Sequence, residues 1–430
     1  MGSSQPPHIV ILGAGFGGLA AARALARAPV RVTLVDRQNH HLFQPLLYQV
    51  ATAALSPADI AAPIRSIVKS HANVRVLLDS AEAIDVARKQ VGLKQCGTID
   101  YDYLIIATGA RHSYFTNPEW ESYAPGLKTV DDATKIRRAV LLALEYAEIE
   151  TDKPRRDALL TYVVIGGGPT GVEMAGAIAE LAHQSVSKEF RHITPHCSRI
   201  ILVDSGDRLL KSFPEPLSRK AEAQLRALGV EVKLGMRITE LHDHGVKVGD
   251  TWIAAQTIVW AAGVMASPAG EWLGIGCDRA GRIPVGADLR VNGHSDVFAI
   301  GDTAACHASD GTLLPGVAAV AKQQGHHVAT LISAAYAGRS ADRPFRYRNY
   351  GNIATIGRKR AVADFGRIRL SGFAAWLLWC IVHVWFLAGY RNRFTVGANW
   401  LWSYITFGRS ARLITGLGGE TSPTLVTQMM

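Results

Sequence analysis

Short apolar runs, each closing on glycine or an acid, divide the chain into a pattern that occurs twice. His8–Leu12 reads as a strand running into Gly13-Ala-Gly15-Phe16-Gly17-Gly18 and an alanine-rich stretch with helical spacing. Val30–Val35 is a β-branched strand ending in Asp36, with Arg37 beside it. Tyr162–Ile165 leads into Gly166-Gly-Gly168-Pro169-Thr170-Gly171 and a second small-residue helix, and Ile200–Val203 ends in Asp204. Each half then supplies a late strand closing on glycine, Leu104-Ile-Ile-Ala-Thr108-Gly109 and Ile258-Val-Trp-Ala-Ala262-Gly263. From first motif glycine to closing glycine the halves measure 96 residues (13 to 109) and 97 (166 to 263). A further strand, Asp296-Val-Phe-Ala-Ile-Gly301-Asp302, precedes Leu314-Pro-Gly316 and the alanine-rich helical stretch Val317–Leu331.

One G-x-G-x-x-G is common to many strand–helix turns. Two of them, each followed by an acid-terminated strand and the same late strand, specify two dinucleotide-binding units. Glycine lets the backbone approach a pyrophosphate, and the helix start behind it presents free N–H groups and partial positive charge. An acid ending the second strand hydrogen-bonds ribose hydroxyls. Asp36 stands 23 residues after Gly13, and Asp204 stands 38 after Gly166. A 2′-phosphate beside Asp204 would be repelled, which favours NADH over NADPH. Gly301–Asp302 offers a strand-end acid for the ribityl–phosphate segment of FAD, and the helix start near Pro315–Gly316 offers positive potential to a flavin ring. The expected fold class is α/β. A discontinuous FAD-binding domain would span 1–125 and 285–345, an NADH-binding domain 126–284, and an amphipathic-helical membrane-associating region 346–430.

Composition narrows the class. The 430 residues are 48% apolar and 19% charged, which excludes a disordered chain. The net charge of +10 lies entirely in the tail: 13 basic and 3 acidic residues from Arg339 onward, against 33 of each before it. A neutral body excludes a nucleic-acid-coating protein, and a basic end suits an anionic surface. The five cysteines lie at least 29 residues apart, which excludes a local redox disulfide or a zinc ribbon and fits a reducing compartment. His40–His41 lacks any metal-ligand spacing, so no metal site is expected. A polar start without an apolar leader, with Pro6 where myristoylation wants Ser or Thr, gives the expectation of a cytoplasmic protein.

With these features the sequence resembles a type II NADH:quinone oxidoreductase, the single-chain, non-pumping NADH dehydrogenase. The specific segments are His40-His-Leu-Phe-Gln-Pro-Leu-Leu-Tyr-Gln-Val50, Gly166–Glu173, Phe298–Asp302, Pro315–Gln324, Gly357-Arg-Lys359-Arg-Ala-Val and the tail from Trp376 to Ile414. The resemblance implies FAD in the first unit, NADH in the second, and a membrane quinone, ubiquinone or menaquinone, as acceptor. It also implies a homodimer on the cytoplasmic face of the cell membrane. By the same resemblance Asp302 contacts FAD, Glu173 lies where NADH and flavin meet, and Lys359, Gln323 and Gln324 line the quinone entrance. Read on their own, Glu173 also fits a paired helix carboxylate, Lys359 a solvated charge, and the glutamines plain helix surface. Ala319 replaces a glutamine common in the family, and Lys322 replaces an uncharged residue. Rival readings are a soluble NADH-dependent reductase of a ferredoxin or rubredoxin, and an NADH-binding switch with little turnover. A sulfide:quinone oxidoreductase would need a cysteine pair at the flavin.

Phe373 to Tyr390 is an 18-residue apolar stretch with His383 inside it and arginines on both flanks, barely long enough to span a bilayer. Asn399, Ser403, Thr406 and Ser410 form a polar stripe, with Trp400, Leu401, Tyr404, Ile405 and Phe407 away from it. This pattern describes a helix lying in the headgroup plane. It also fits a core or dimer-interface helix.

Overall fold

The computed structural model describes residues 6–186, 189–194, 197–340, 343–387, 390–406 and 411–415. It divides into two compact units. The first comprises Met1–Leu42, Ala61–His112 and Val264–Tyr350, and the second Phe43–Ile60, Ser113–Gly263 and Gly351–Met430.

The first unit is built on a five-stranded parallel sheet in the order Val297–Ala299, Tyr103–Ile106, His8–Leu12, Arg31–Asp36, Val74–Leu78. Ile9 and Ile11 face a core with Ala21, Leu25, Val328 and Ile332, while Val10 and Leu12 face another with Ile84, Val91 and Ile106. Both faces are covered, which explains the unbroken apolar runs of the sequence. The helices Phe16–Leu25 and Ala318–Tyr336 pack against each other on one face.

The second unit repeats the plan with four parallel strands, Val230–Lys233, Arg199–Val203, Thr161–Ile165 and Thr257–Trp260. It also contains the hairpin Asn352–Gly357/Arg360–Asp364, which packs against the helix Pro169–Glu180.

Three boundaries differ from the expected division. Val264–Ala266 pairs antiparallel with Ala110–His112, so residues 264–284 join the first unit rather than the NADH-binding one. Phe43–Ile60 leaves the first unit because its short helix Leu47–Ala51 lies on the helix Val130–Ile149. The tail groups with the second unit, since its hairpin packs against the helix Pro169–Glu180.

The apolar stretch of the tail forms a helix of 14 residues, Phe373–Phe386, about 21 Å long, and Leu387 beyond it is extended. No helix among the described residues is long and apolar enough to cross a membrane. The next helix is Tyr390–Thr406. Trp400, on the face away from the polar stripe, is buried against Trp379 as the core reading has it, while Leu401 and Trp402 are exposed. Of the expected stripe and its opposite face, the side chains of Ser403–Thr406 and residues 407–410 lie outside the described residues.

Candidate active site

Parallel strands release their following loops at one edge of a sheet, and in each unit the glycine loop, the strand-end acid and the late-strand glycine converge there. The two units reach the same local solution. Gly13 (φ +97°) and Gly166 (φ +119°) occupy backbone that L-residues avoid. A Cβ on Gly18 would collide with the Gly13 carbonyl oxygen, and one on Gly171 with that of Gly166. Gly15 and Gly168 are different: a Cβ there would meet no protein atom within 4 Å. The protein's own packing does not need these two glycines, so the free space beside them suits a ligand that approaches the backbone closely. Each begins a helix whose first N–H groups receive no side-chain cap, those of Phe16 and Gly17 in one unit and of the exposed Thr170 and the buried Gly171 in the other, Pro169 having none to give. These are the donors a pyrophosphate requires.

The strand-end acids hold the loops. Asp36 accepts from Ala14 N (2.6 Å) and Gln38 N (2.7 Å), and Asp204 from Gly167 N and Gly206 N (both 2.6 Å). A carboxylate has about four acceptor sites, so capacity for a ribose hydroxyl remains. Arg37 is exposed beside the first of them. On the late-strand side, Thr108 Oγ1 lies 2.5 Å from Ser267 Oγ, and Gly109 N donates to Thr303 Oγ1 (2.8 Å). Gly301 follows in left-handed backbone (φ +67°), and Asp302 sits next to Gly316, where an added Cβ would come within 3.0 Å of Oδ1. The helix starting at Ala318 is uncapped as well. In the second unit Ala262 and Gly263 remain partly accessible beside Gly166. This set of backbone donors, open glycine positions and strand-end acids fits FAD in the first unit and NADH in the second.

The two glutamines are placed differently from the expectation. Gln324 is 1% exposed and its Oε1 accepts from Gly301 N (2.6 Å). Gln323 clamps the main chain of Arg348, donating to its carbonyl and accepting from its N–H (2.9 Å each). Both amides shape the loop and the chain around the helix.

Glu173 lies one turn into the helix Pro169–Glu180. That helix reaches the strand Asn352–Gly357 so closely that a Cβ on Gly176 would strike the Ile356 carbonyl. Burial of its carboxyl pushes the Glu173 pKa up to about 8, opposed by a hydrogen bond from the Thr355 main chain. The hairpin continues through Arg358 to Lys359, which is exposed at the turn in left-handed backbone (φ +59°). Glu173 thus belongs to the contact between this helix and this hairpin, and Lys359 stands exposed at the hairpin's turn.

The two segments most specific to the resemblance also meet inside the second unit. Trp400 Nε1 donates to Gln49 Oε1 (2.7 Å), and Gln49 Nε2 to the Tyr48 hydroxyl (2.8 Å). The His383 ring stacks on Trp379 (4.3 Å) and meets the edge of Phe43 (6.2 Å). Burial drives the His383 pKa down to about 4, so this imidazole is neutral. The indole Nε1 of Trp379 is buried without a hydrogen-bond partner. The contacts between Phe43–Gln49 and Trp379–Trp400 were not legible in the sequence, because 330 or more residues separate the two segments. Cys96, Cys197, Cys277 and Cys306 are free thiols.

The fold and the paired loops define a reductase with two dinucleotide sites. Residues 7–325 match the family described as pyridine nucleotide-disulphide oxidoreductase, and residues 350–410 match the NDH2 C-terminal domain. The type II NADH:quinone oxidoreductase Ndh of Mycobacterium tuberculosis is 42% identical over 430 residues, covering 96% of this chain and 92% of that one. NdhA of the same organism is 43% identical over 419 residues, covering 94% and 88%. The structure of NDH2 from Plasmodium falciparum in complex with NADH shares the fold, with a TM-score of 0.86 and 21% identity, covering 94% of this chain and 99% of that one. The chain belongs to the type II NADH:quinone oxidoreductase family.

Proposed function

We propose that this protein oxidises NADH and passes the electrons to a membrane quinone, ubiquinone or menaquinone, from the cytoplasmic face of the cell membrane. One observation carries the reading. A single helix bears the uncapped second nucleotide loop at its start and Glu173 one turn later, and it lies against the hairpin that holds Lys359. FAD bound in the first unit would supply the two-electron redox chemistry that links NADH to the quinone. The chain's own residues do the rest. The helix starts at Gly15 and Gly168 bind and orient the two pyrophosphates. Glu173, protonated at neutral pH, is a proton donor at its carboxyl oxygen. Lys359 supplies positive charge that favours electron uptake by a quinone.

The test is optical. Anaerobic NADH should bleach the yellow purified protein, and a short-chain benzoquinone should restore the colour with one quinone reduced per NADH. Bleaching that no quinone reverses would refute the acceptor and leave the soluble-reductase alternative.

The membrane side of the reading rests on the tail. Phe373, Leu377, Ile381 and Trp385 recur every four residues on one helix face, all exposed, Trp385 by 70%, while Ala375, Trp376 and Trp379 on the other face are buried. Exposed Arg367 and Ile368 precede them. Such a stripe suits an anionic bilayer surface. Leu377→Glu with Trp385→Glu should weaken binding to phosphatidylcholine/phosphatidylglycerol vesicles at least roughly tenfold in a flotation assay. Turnover of a water-soluble quinone should persist. A homodimer is the competing occupant of the stripe: dissociation by these changes in sedimentation, with vesicle binding intact, would assign it to subunit pairing.

A further inference from the structure

We propose that Glu180 is a positioning residue for Lys359. It holds the hairpin turn in the conformation from which the lysine serves the quinone half-reaction. The inference rests on the role given to Lys359 above and adds the group that fixes it.

Glu180 ends the helix that begins with the second glycine loop, seven residues after Glu173 and therefore on the same face. Its Oε1 accepts a hydrogen bond from the main-chain N–H of Arg358, the residue before Lys359. The carboxylate lies directly over that main chain: a Cβ on Gly357 would come within 2.7 Å of the same oxygen. The hairpin is irregular here. Its register shifts between Thr355 and Gly357, and Thr355 Oγ1 reaches the carbonyls of Gly357 (3.4 Å) and Arg360 (3.3 Å). Lys359 must then adopt a left-handed φ of +59°, which costs a non-glycine residue on the order of 1 kcal/mol or more. A lysine in such backbone persists only when its neighbours over-determine it. Glu173 holds Thr355 and the Gln224 carbonyl holds the Arg360 side chain, but the charge-assisted bond that the Arg358 N–H donates to Glu180 is the main-chain anchor next to Lys359 that comes from outside the hairpin. The close approach at Gly176 keeps the helix rigid against the strand, so the anchor and the nucleotide loop belong to one body.

The experiment uses the full-length, FAD-loaded protein with NADH and a water-soluble benzoquinone. Glu180→Ala should raise the quinone KM about tenfold, the scale of a lost charged hydrogen bond. Anaerobic flavin bleaching by NADH should stay within about twofold of the parent. Glu180→Gln retains an acceptor oxygen for Arg358 N–H and should restore most of the affinity. Glu180→Asp keeps the charge but withdraws it by one methylene, so it should behave like the alanine variant and gives a reading even where Glu180→Ala folds poorly. In a Lys359→Met background, Glu180→Ala should add no further loss. A normal quinone KM in both Glu180→Ala and Glu180→Asp would overturn the inference, as would losses that simply add to those of Lys359→Met. An equal fall in bleaching rate and quinone turnover would overturn it too, by showing general destabilisation. Unchanged quinone kinetics in Lys359→Met alone would remove the underlying reading of the lysine, a failure distinct from that of the clamp.

Discussion

Gly168→Ala should yield a yellow protein with an unchanged melting temperature that NADH bleaches at least about a hundredfold more slowly. Gly15→Ala should be colourless as purified and melt with the FAD-stripped parent. The argument lies in what surrounds each position. Neither glycine has protein atoms within 4 Å of an added Cβ, and both have backbone angles open to alanine, φ −67° and −75° with extended ψ. The folded chain therefore accepts the methyl group, and the loss falls on the ligand that needs the same space. Gly18 and Gly171 provide the contrast. Their Cβ would strike the carbonyl oxygens of Gly13 and Gly166, so alanine there forces the loop apart and should lower stability along with binding. Colour and bleaching report the two sites separately, and melting curves separate steric damage from ligand exclusion. If Gly168→Ala is bleached at the normal rate, NADH does not lie against that loop.

Glu173→Gln should reduce NADH-to-quinone turnover about a hundredfold, the usual scale for a lost general acid. It should also remove the alkaline limb of the pH profile. Burial raises this carboxyl to about 8, so in the wild type the proton is present at neutral pH and is lost as pH passes that value. The same shift has a thermodynamic sign. An unfolded glutamate titrates near 4.5, so between about 4.5 and about 8 the folded protein retains a proton that the unfolded chain has released, and stability falls across that window as pH rises. Glutamine cannot ionise. The variant should match the wild type below the window and exceed it increasingly up to a plateau above, by on the order of 3 kcal/mol once partial exposure is allowed for. Denaturant unfolding of the two ligand-free proteins at pH 5 and pH 9 measures the difference. A variant that keeps the wild-type alkaline decline would exclude Glu173 as its origin.

Much of this site was visible in the sequence because local rules dictate it. A glycine in left-handed backbone, a strand-end acid and a small-residue helix each leave a mark within 38 residues of the first motif glycine, so the two nucleotide loops could be located and paired. What the acids also do was not visible. Asp36 and Asp204 tie down their own loops through Ala14 and Gly167, a contact that only the closed turn creates. Gln323 and Gln324 show the converse. Their chemistry suits a polar ligand, but the helix directs one amide to Gly301 and the other to Arg348, and the partners lie more than twenty residues away. Glu180 had a weak signal, an acid seven residues beyond Glu173 with Gly176 between them. Its hydrogen-bond partner, 178 residues further on, carried none. Periodicity also extended the tail helix to Tyr390, because it registers hydrophobicity and misses the extended backbone at Leu387.

The inner face of Phe373–Phe386 bears on any attempt to make this protein water-soluble. Ala375 and Trp376 pack with Ala361 and Ala363 of the hairpin, and the rings of Trp379 and His383 cover Phe43 and stack towards Trp400. Cutting the chain before residue 373 would strip a wall from the domain that holds Glu173 and Lys359, and the truncated protein should aggregate through the raw surface left behind. Detergent-free preparations are better sought by recolouring the outer stripe with charged residues, position by position, with the backbone left whole.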